Sequence, residues 1–118
     1  MIISKSMIDG FSRTYVKENS VVCYAESQTL SGASNKAILI LNDSTLHILF
    51  LNITLSKVIQ HTELSLREIQ NSKLKKNSFF LSSVWSFRVN QNKWRFRIMK
   101  KIVTLGNMQS EFIKNIVI

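Results

Sequence analysis

The sequence predicts a mainly β domain with a short helix at its start and an amphipathic helix at its end. Three observations carry this. Apolar segments rich in Val, Ile, Leu and aromatic residues recur along the chain, separated by polar turn signals, as in an antiparallel sheet. On both sides of Asn90-Gln91-Asn92, apolar and polar residues alternate, which is the period of a half-buried strand. After Asn107 the period becomes helical, with Met108, Phe112, Ile113, Ile116 and Val117 on one face. The chain has 118 residues, 45% of them hydrophobic, with three glycines and no proline. That suits one folded domain and excludes a disordered chain or a large multidomain enzyme.

Each element has its own signal. Residues 2–17 place Ile3, Met7, Ile8, Phe11 and Tyr15 at helical spacing. Gly10 inside this segment costs a helix about 1 kcal/mol relative to Ala, so the competing reading is a mobile extension. Val21 to Ala25 is β-branched and aromatic, a first strand. Ser27 to Asn35 is a Ser- and Gly-rich loop. Ala37 to Leu41 and Thr45 to Leu51 form a hairpin around the Asn42-Asp43-Ser44 turn. Lys57 to His61 is a fourth strand. A fifth lies within Leu66 to Lys75, with Ile69 inward. Phe79 to Val89 contains a sixth and Lys93 to Met99 a seventh, with Asn90-Gln91-Asn92 turning between them. Asn107 is placed to cap the final helix with its side chain. No linker or repeat interrupts the chain. Residues 1–19 read as an N-terminal helical extension and 20–118 as one domain.

The run from Ala37 to Leu55 is about long enough to span a bilayer as a helix. Asn42, Asp43, His47 and Asn52 interrupt it, and buried polar groups are costly in hydrocarbon. A strand hairpin is the better reading. The N-terminus has no secretory leader pattern and Cys23 is the sole cysteine. Both point to the cytoplasm, with the inner face of the cell membrane as the place of any peripheral attachment.

The formal net charge is +9. Residues 1–68 carry six basic and six acidic residues, whereas 69–118 carry ten basic residues and one acid, Glu111. Strand alternation puts Trp94, Phe96 and Ile98 on one face and Lys93, Arg95 and Arg97 on the other. Likewise Trp85, Phe87 and Val89 oppose Ser86 and Arg88. A two-residue Gln91-Asn92 turn would set Arg88 opposite Arg95, Ser86 opposite Arg97 and Trp85 opposite Ile98, keeping the apolar rows together. The resulting like-charge pair is mildly destabilising, which argues for an anion-binding face over mere solvation of long Arg stems. Lys73 and Lys75 extend that face. The full candidate set is Lys73, Lys75, Lys76, Arg88, Lys93, Arg95, Arg97, Lys100 and Lys101.

Two short stretches add a resemblance. Ala37 to Leu51, "AILILNDSTLHILFL", resembles the second-to-third strand hairpin of bacterial pleckstrin-homology-like domains of the PH and GRAM type. Leu66 to Lys76, "LREIQNSKLKK", resembles their following segment, where a strand start leads into a basic strand. The resemblance spans about residues 20–118. It implies a PH-like seven-stranded antiparallel β-barrel or sandwich of two near-orthogonal sheets, capped by the C-terminal helix. It also implies lipid or protein recognition rather than catalysis. Members that bind phosphoinositides cluster basic residues around the first loop. Here that loop offers only Lys36 and lacks the K-x-n-[KR]-x-R pattern.

Catalytic motifs are missing from the sequence. It has no P-loop, no dinucleotide glycine pattern and no G-x-S-x-G elbow. His47 and His61 read as ordinary strand residues, too few for a metal cluster, and Cys23 as a small buried hydrophobe. The expectation is a non-enzymatic module without cofactor or metal, whose basic face meets an anionic lipid surface or an acidic protein. One specific form is an immunity protein that shields a bacterial producer from a cationic membrane-active bacteriocin. The high Asn, Ile, Lys and Ser content fits an AT-rich genome such as that of a Gram-positive bacterium or its phage. Nucleic-acid binding has the charge for it but lacks aromatic stacking platforms on the basic face, because Trp94 and Phe96 point inward. The apolar end Ile116-Val117-Ile118 would serve homo-oligomerisation through the C-terminal helix if the helix left it uncovered.

Overall fold

The structure is a computed structural model that describes residues 3–28, 35–77 and 81–116. Helix α1 (Lys5–Ser12) leads into strands β1 (Val21–Ser27), β2 (Lys36–Leu41), β3 (Thr45–Leu51) and β4 (Val58–Ser65). A 3-10 turn (Leu66–Glu68) connects to β5 (Ile69–Asn77), β6 (Ser82–Val89) and β7 (Asn92–Met99). A second 3-10 turn (Val103–Leu105) precedes helix α2 (Met108–Lys114). The fold is mainly β, as the sequence predicts. The seven strands form one antiparallel sheet in the order β4-β3-β2-β1-β7-β6-β5. Among the described residues the β1–β7 ladder has two partner pairs, Glu26–Arg97 and Ser27–Phe96, and the Gln28 N–H donates to the Arg95 carbonyl (2.8 Å) just beyond them.

The sheet folds back on itself around one core. Cys23, Ala25, Leu39, Ile48 and Phe50 from one half meet Trp85, Phe87, Phe96 and Ile98 from the other, and Phe112 and Ile116 close over them. A second apolar cluster lies on the back of β2 and β3. There Ile38, Ile40, Leu49 and Leu51 pack under Ile8 of α1, Leu55 and Leu105. Burial on both faces explains why the hairpin reads as continuous apolar sequence rather than an alternating one. Helix α1 is therefore a cover for that back face. It is shorter than the 2–17 segment of apolar spacing. Ser4 caps it by accepting from the Met7 N–H (3.3 Å), and the Ser12 hydroxyl donates to the Ile8 carbonyl (2.7 Å) at its end.

The Asn42-Asp43-Ser44 turn forms as expected, with the Asn42 carboxamide oxygen accepting from the N–H groups of Ser44 (3.0 Å) and Thr45 (2.9 Å). Strand β4 runs four residues beyond His61, because Thr62 to Ser65 continue the ladder with β3. The expected β6–β7 register is corrected by two residues. Asn90 takes φ +57 and Asn90-Gln91 makes the turn, since Val89 already faces Asn92. Arg88 thus faces Lys93, Ser86 faces Arg95 and Trp85 faces Phe96. A two-residue shift leaves every side chain on its expected face. Asn107 sits at the start of α2 but makes no side-chain cap. Its carbonyl instead accepts from the Glu111 N–H (3.0 Å) and the Ser110 hydroxyl (3.0 Å). Phe79, Phe80, Val117, Ile118 and most of the Ser27–Asn35 loop lie outside the described residues.

Candidate anion-binding face

Strands β5, β6 and β7 present one basic surface. A bulge in β5 aligns it: Gln70 faces Arg88, but Lys73 faces Ser86, so β5 carries one extra residue between them. Asn71 absorbs it at φ +56. The extra residue changes the inside-outside parity. Ile69 and Leu74 consequently both pack on the core, although their odd spacing would put them on opposite faces of an unbroken strand. The same bulge turns the Ser72 hydroxyl inward to accept from the Trp85 indole N–H (2.9 Å). Lys73 and Lys75 then fall on the outer face with Arg88, Lys93, Arg95 and Arg97.

The face has a shallow centre of 330 Å³ lined by Asn71, Lys73, Ser86, Phe87, Arg88 and Lys93. Three cations with two neutral polar side chains make a donor-rich depression suited to an anion. Across the described residues, the carboxylate that reaches this surface is Glu26, 3.9 Å from Arg97. Arg97 also lies against Met99 (Nη2 to Sδ 3.7 Å), so it is the more engaged of the three arginines. Arg88 and Lys93 stand as a cross-strand pair of like charge.

Three of the expected residues fall elsewhere. Lys76 faces Ser83 and so belongs to the opposite side of β5 from Lys73 and Lys75. Lys100 and Lys101 follow the end of β7, where the Lys100 N–H donates to the Leu81 carbonyl (2.8 Å). They border the basic face rather than form it. Leu81, at φ +51 and 63% exposed, stands beside them. Trp94 is only partly buried, but its ring stacks on Phe96 (6.1 Å) and Phe87 (6.5 Å) in the inner row.

A larger cavity of 480 Å³ lies between the β2–β3 turn and the start of β5. Val21, Leu41, Ile69 and Trp85 form its floor, and Asn19, Asn42, Asp43 and Asn115 its polar rim. Among the described residues no basic side chain lines it, and Asn71 is shared between it and the depression on the basic face. Cys23 is fully buried, and burial pushes its thiol well above the usual range.

Sequence reasoning also passed over a group on the back of the sheet. His47 on β3 faces Glu63 on β4, and His61 faces Leu49 two positions away. Alternation brings His47, His61 and Glu63 to one face. His47 Nδ1 is 3.0 Å from His61 Nε2 and 3.6 Å from Glu63 Oε1. Tyr15, just after α1, lays its ring against both imidazoles, with centroids 4.5 Å and 5.1 Å away. Burial holds the His47 imidazole below its ordinary pKa, against the pull of Glu63. The i, i+2 spacing of His61 and Glu63 was the available signal. It needed β4 to extend past His61, which the polar run Thr62-Glu63 concealed.

None of the described helices is long and apolar enough to cross a membrane. Comparison with models of known families finds no match, and neither does comparison with curated proteins. Among solved structures, the hSac2 domain from human phosphoinositide phosphatase Sac2 is similar in fold, with a TM-score of 0.54 at 9% sequence identity. The likeness covers 92% of this chain and 73% of that one, and at this identity it speaks to the shared architecture alone.

Proposed function

We propose that this chain is a PH-like binding module whose outer β5–β7 face docks on an anionic membrane surface. The observation that carries the reading is the Arg88–Lys93 pair beside Lys73, with no acid among the described residues that line their donor-rich depression. A fold held by apolar burial gains nothing from like charges placed face to face. An anion that binds both turns that cost into attraction. Seven antiparallel strands and the helix over the core support the PH-like assignment, because both are what the sequence resemblance implies. Exposed Leu81 at the border of the face supports a membrane over a purely polar partner, since an apolar side chain among cations can enter the acyl boundary.

Each basic residue near an anionic leaflet contributes about 1 kcal/mol, screened by salt. Sedimentation with vesicles of phosphatidylcholine alone, or mixed with phosphatidylglycerol, tests the proposal. Binding is expected only to the anionic vesicles, to weaken as salt rises, and to be lost in the Arg88→Glu, Arg95→Glu, Arg97→Glu variant. Binding that ignores anionic lipid content or this triple substitution would refute it. Association with an acidic protein, with no vesicle binding, would point to the other partner class.

A further inference from the structure

We propose that His47, His61 and Glu63 form a binding site for a divalent transition ion of the zinc class. The site is independent of the basic face. It lies on the back of the β3–β4 ladder, under the end of α1.

The donor set is the first argument. Two imidazole nitrogens and a carboxylate oxygen are borderline ligands that suit zinc, and three protein ligands with an open fourth position is a recurrent arrangement. Geometry is the second. Ligands at zinc's usual bond lengths in a tetrahedron sit roughly 3.3 Å from one another. The pairs His47 Nδ1–His61 Nε2 and His47 Nδ1–Glu63 Oε1, at 3.0 Å and 3.6 Å, bracket that value. All three donor atoms lie within 4.8 Å of one another. The donor atoms are thus clustered closely enough for side-chain rotation to bring them onto one ion.

Preorganisation is the third. His47 is 6% exposed and held within the packed β3 strand. Tyr15 packs against both rings at a tilt, with interplanar angles of 41° and 33°, and so restricts their motion. His61 and Glu63 are exposed, so an ion can enter from solvent and keep a water or an outside donor as its fourth ligand. Proton bookkeeping is simple. In the ion-free pair one of the facing nitrogens carries a proton and donates to the other. When the ion takes that place, the donor ring carries its proton on its far nitrogen, and the imidazoles release none. One carboxylate leaves the loaded site with a charge of one positive unit.

Calorimetric titration of zinc into untagged, chelator-stripped protein tests this, with cobalt(II) absorption as a spectroscopic reporter. One ion per chain and intense tetrahedral cobalt bands are expected. His61→Ala and Glu63→Gln should each weaken zinc binding at least tenfold and change the cobalt spectrum. Both substitutions are at exposed positions, so circular dichroism should show an intact sheet. No uptake by the unaltered protein, or uptake that both variants retain in full, would overturn the proposal.

Discussion

Gln109 is a polar residue with no exposed surface, and its contacts explain why. Its Oε1 accepts from the Tyr24 N–H (2.8 Å), and its Nε2 donates to the carbonyls of Tyr24 (2.8 Å) and Met99 (3.0 Å). Continuing the β1–β7 register two positions past Glu26–Arg97 brings Tyr24 opposite Met99. The carboxamide thus bridges the two strands where their own ladder stops. Gln109→Leu leaves those backbone groups unpaired and should cost about 2–3 kcal/mol by urea denaturation. Ser83 is the opposite case. Its hydroxyl is buried without a partner among the described residues, so Ser83→Ala should be neutral or stabilising by up to about 1 kcal/mol in the same assay. Tyr24 also gives the molecule an alkaline limit. Burial, with the Glu26 carboxylate adding to it, pushes its phenol up to about 12 from 10. The folded state then holds this proton more tightly than the unfolded chain. The contribution is complete below about pH 10 and is lost as pH rises toward 12. Tyr24→Phe should flatten that part of the stability profile. A profile that falls equally in both proteins would remove Tyr24 as the cause.

Elements were legible where a single period ran through them. The β2–β3 hairpin, its Asx turn and the alternating faces of β6 and β7 follow from side-chain pattern alone. Register did not, because Asn90 accepts positive φ and so lets the turn begin one residue earlier than a Gln91-Asn92 reading allows. The basic face survived that error because the slip is two residues, which preserves parity. The β5 bulge was hidden for a similar reason: Asn71 gives no local sign that an extra residue is being inserted. Strand β4 was truncated because its outer residues, including Glu63, are polar on an edge where polarity is tolerated. That truncation also hid the histidine pair, and Gln109 was invisible because a lone amide on a helix ordinarily faces water. The corrected register makes a distinctive prediction. Arg88→Glu places an acid opposite Lys93 and beside Lys73, so the folded state should gain about 0.5 kcal/mol, while binding to anionic vesicles should weaken. Stability and binding moving in opposite directions would mark the like-charge pair as kept for its partner. Both falling together would mean that Arg88 serves the fold.

At the scale of the whole molecule, the question is whether +9 acts as a net charge or as an arrangement. A net charge raises nonspecific attraction to any anionic surface, whichever residues carry it. An oriented face acts within about a Debye length, roughly 10 Å at ordinary salt, so only residues that reach the surface count. The fold separates the two cases. Arg13 and Lys57 are exposed in the half of the chain whose charges balance, while Arg88 and Arg95 occupy the β5–β7 face. Reversing either pair to Glu removes two charges per residue and takes the protein from +9 to +5. If charge acts globally, the Arg13→Glu, Lys57→Glu and Arg88→Glu, Arg95→Glu proteins should lose vesicle binding equally. With an oriented face, the first should bind almost as the unaltered protein does. The second should lose two contacts of about 1 kcal/mol each, plus the repulsion of two new acids, or more than a thirtyfold drop in partitioning. Equal losses would reduce the β5–β7 surface to a solvated patch and leave the fold without an assigned face.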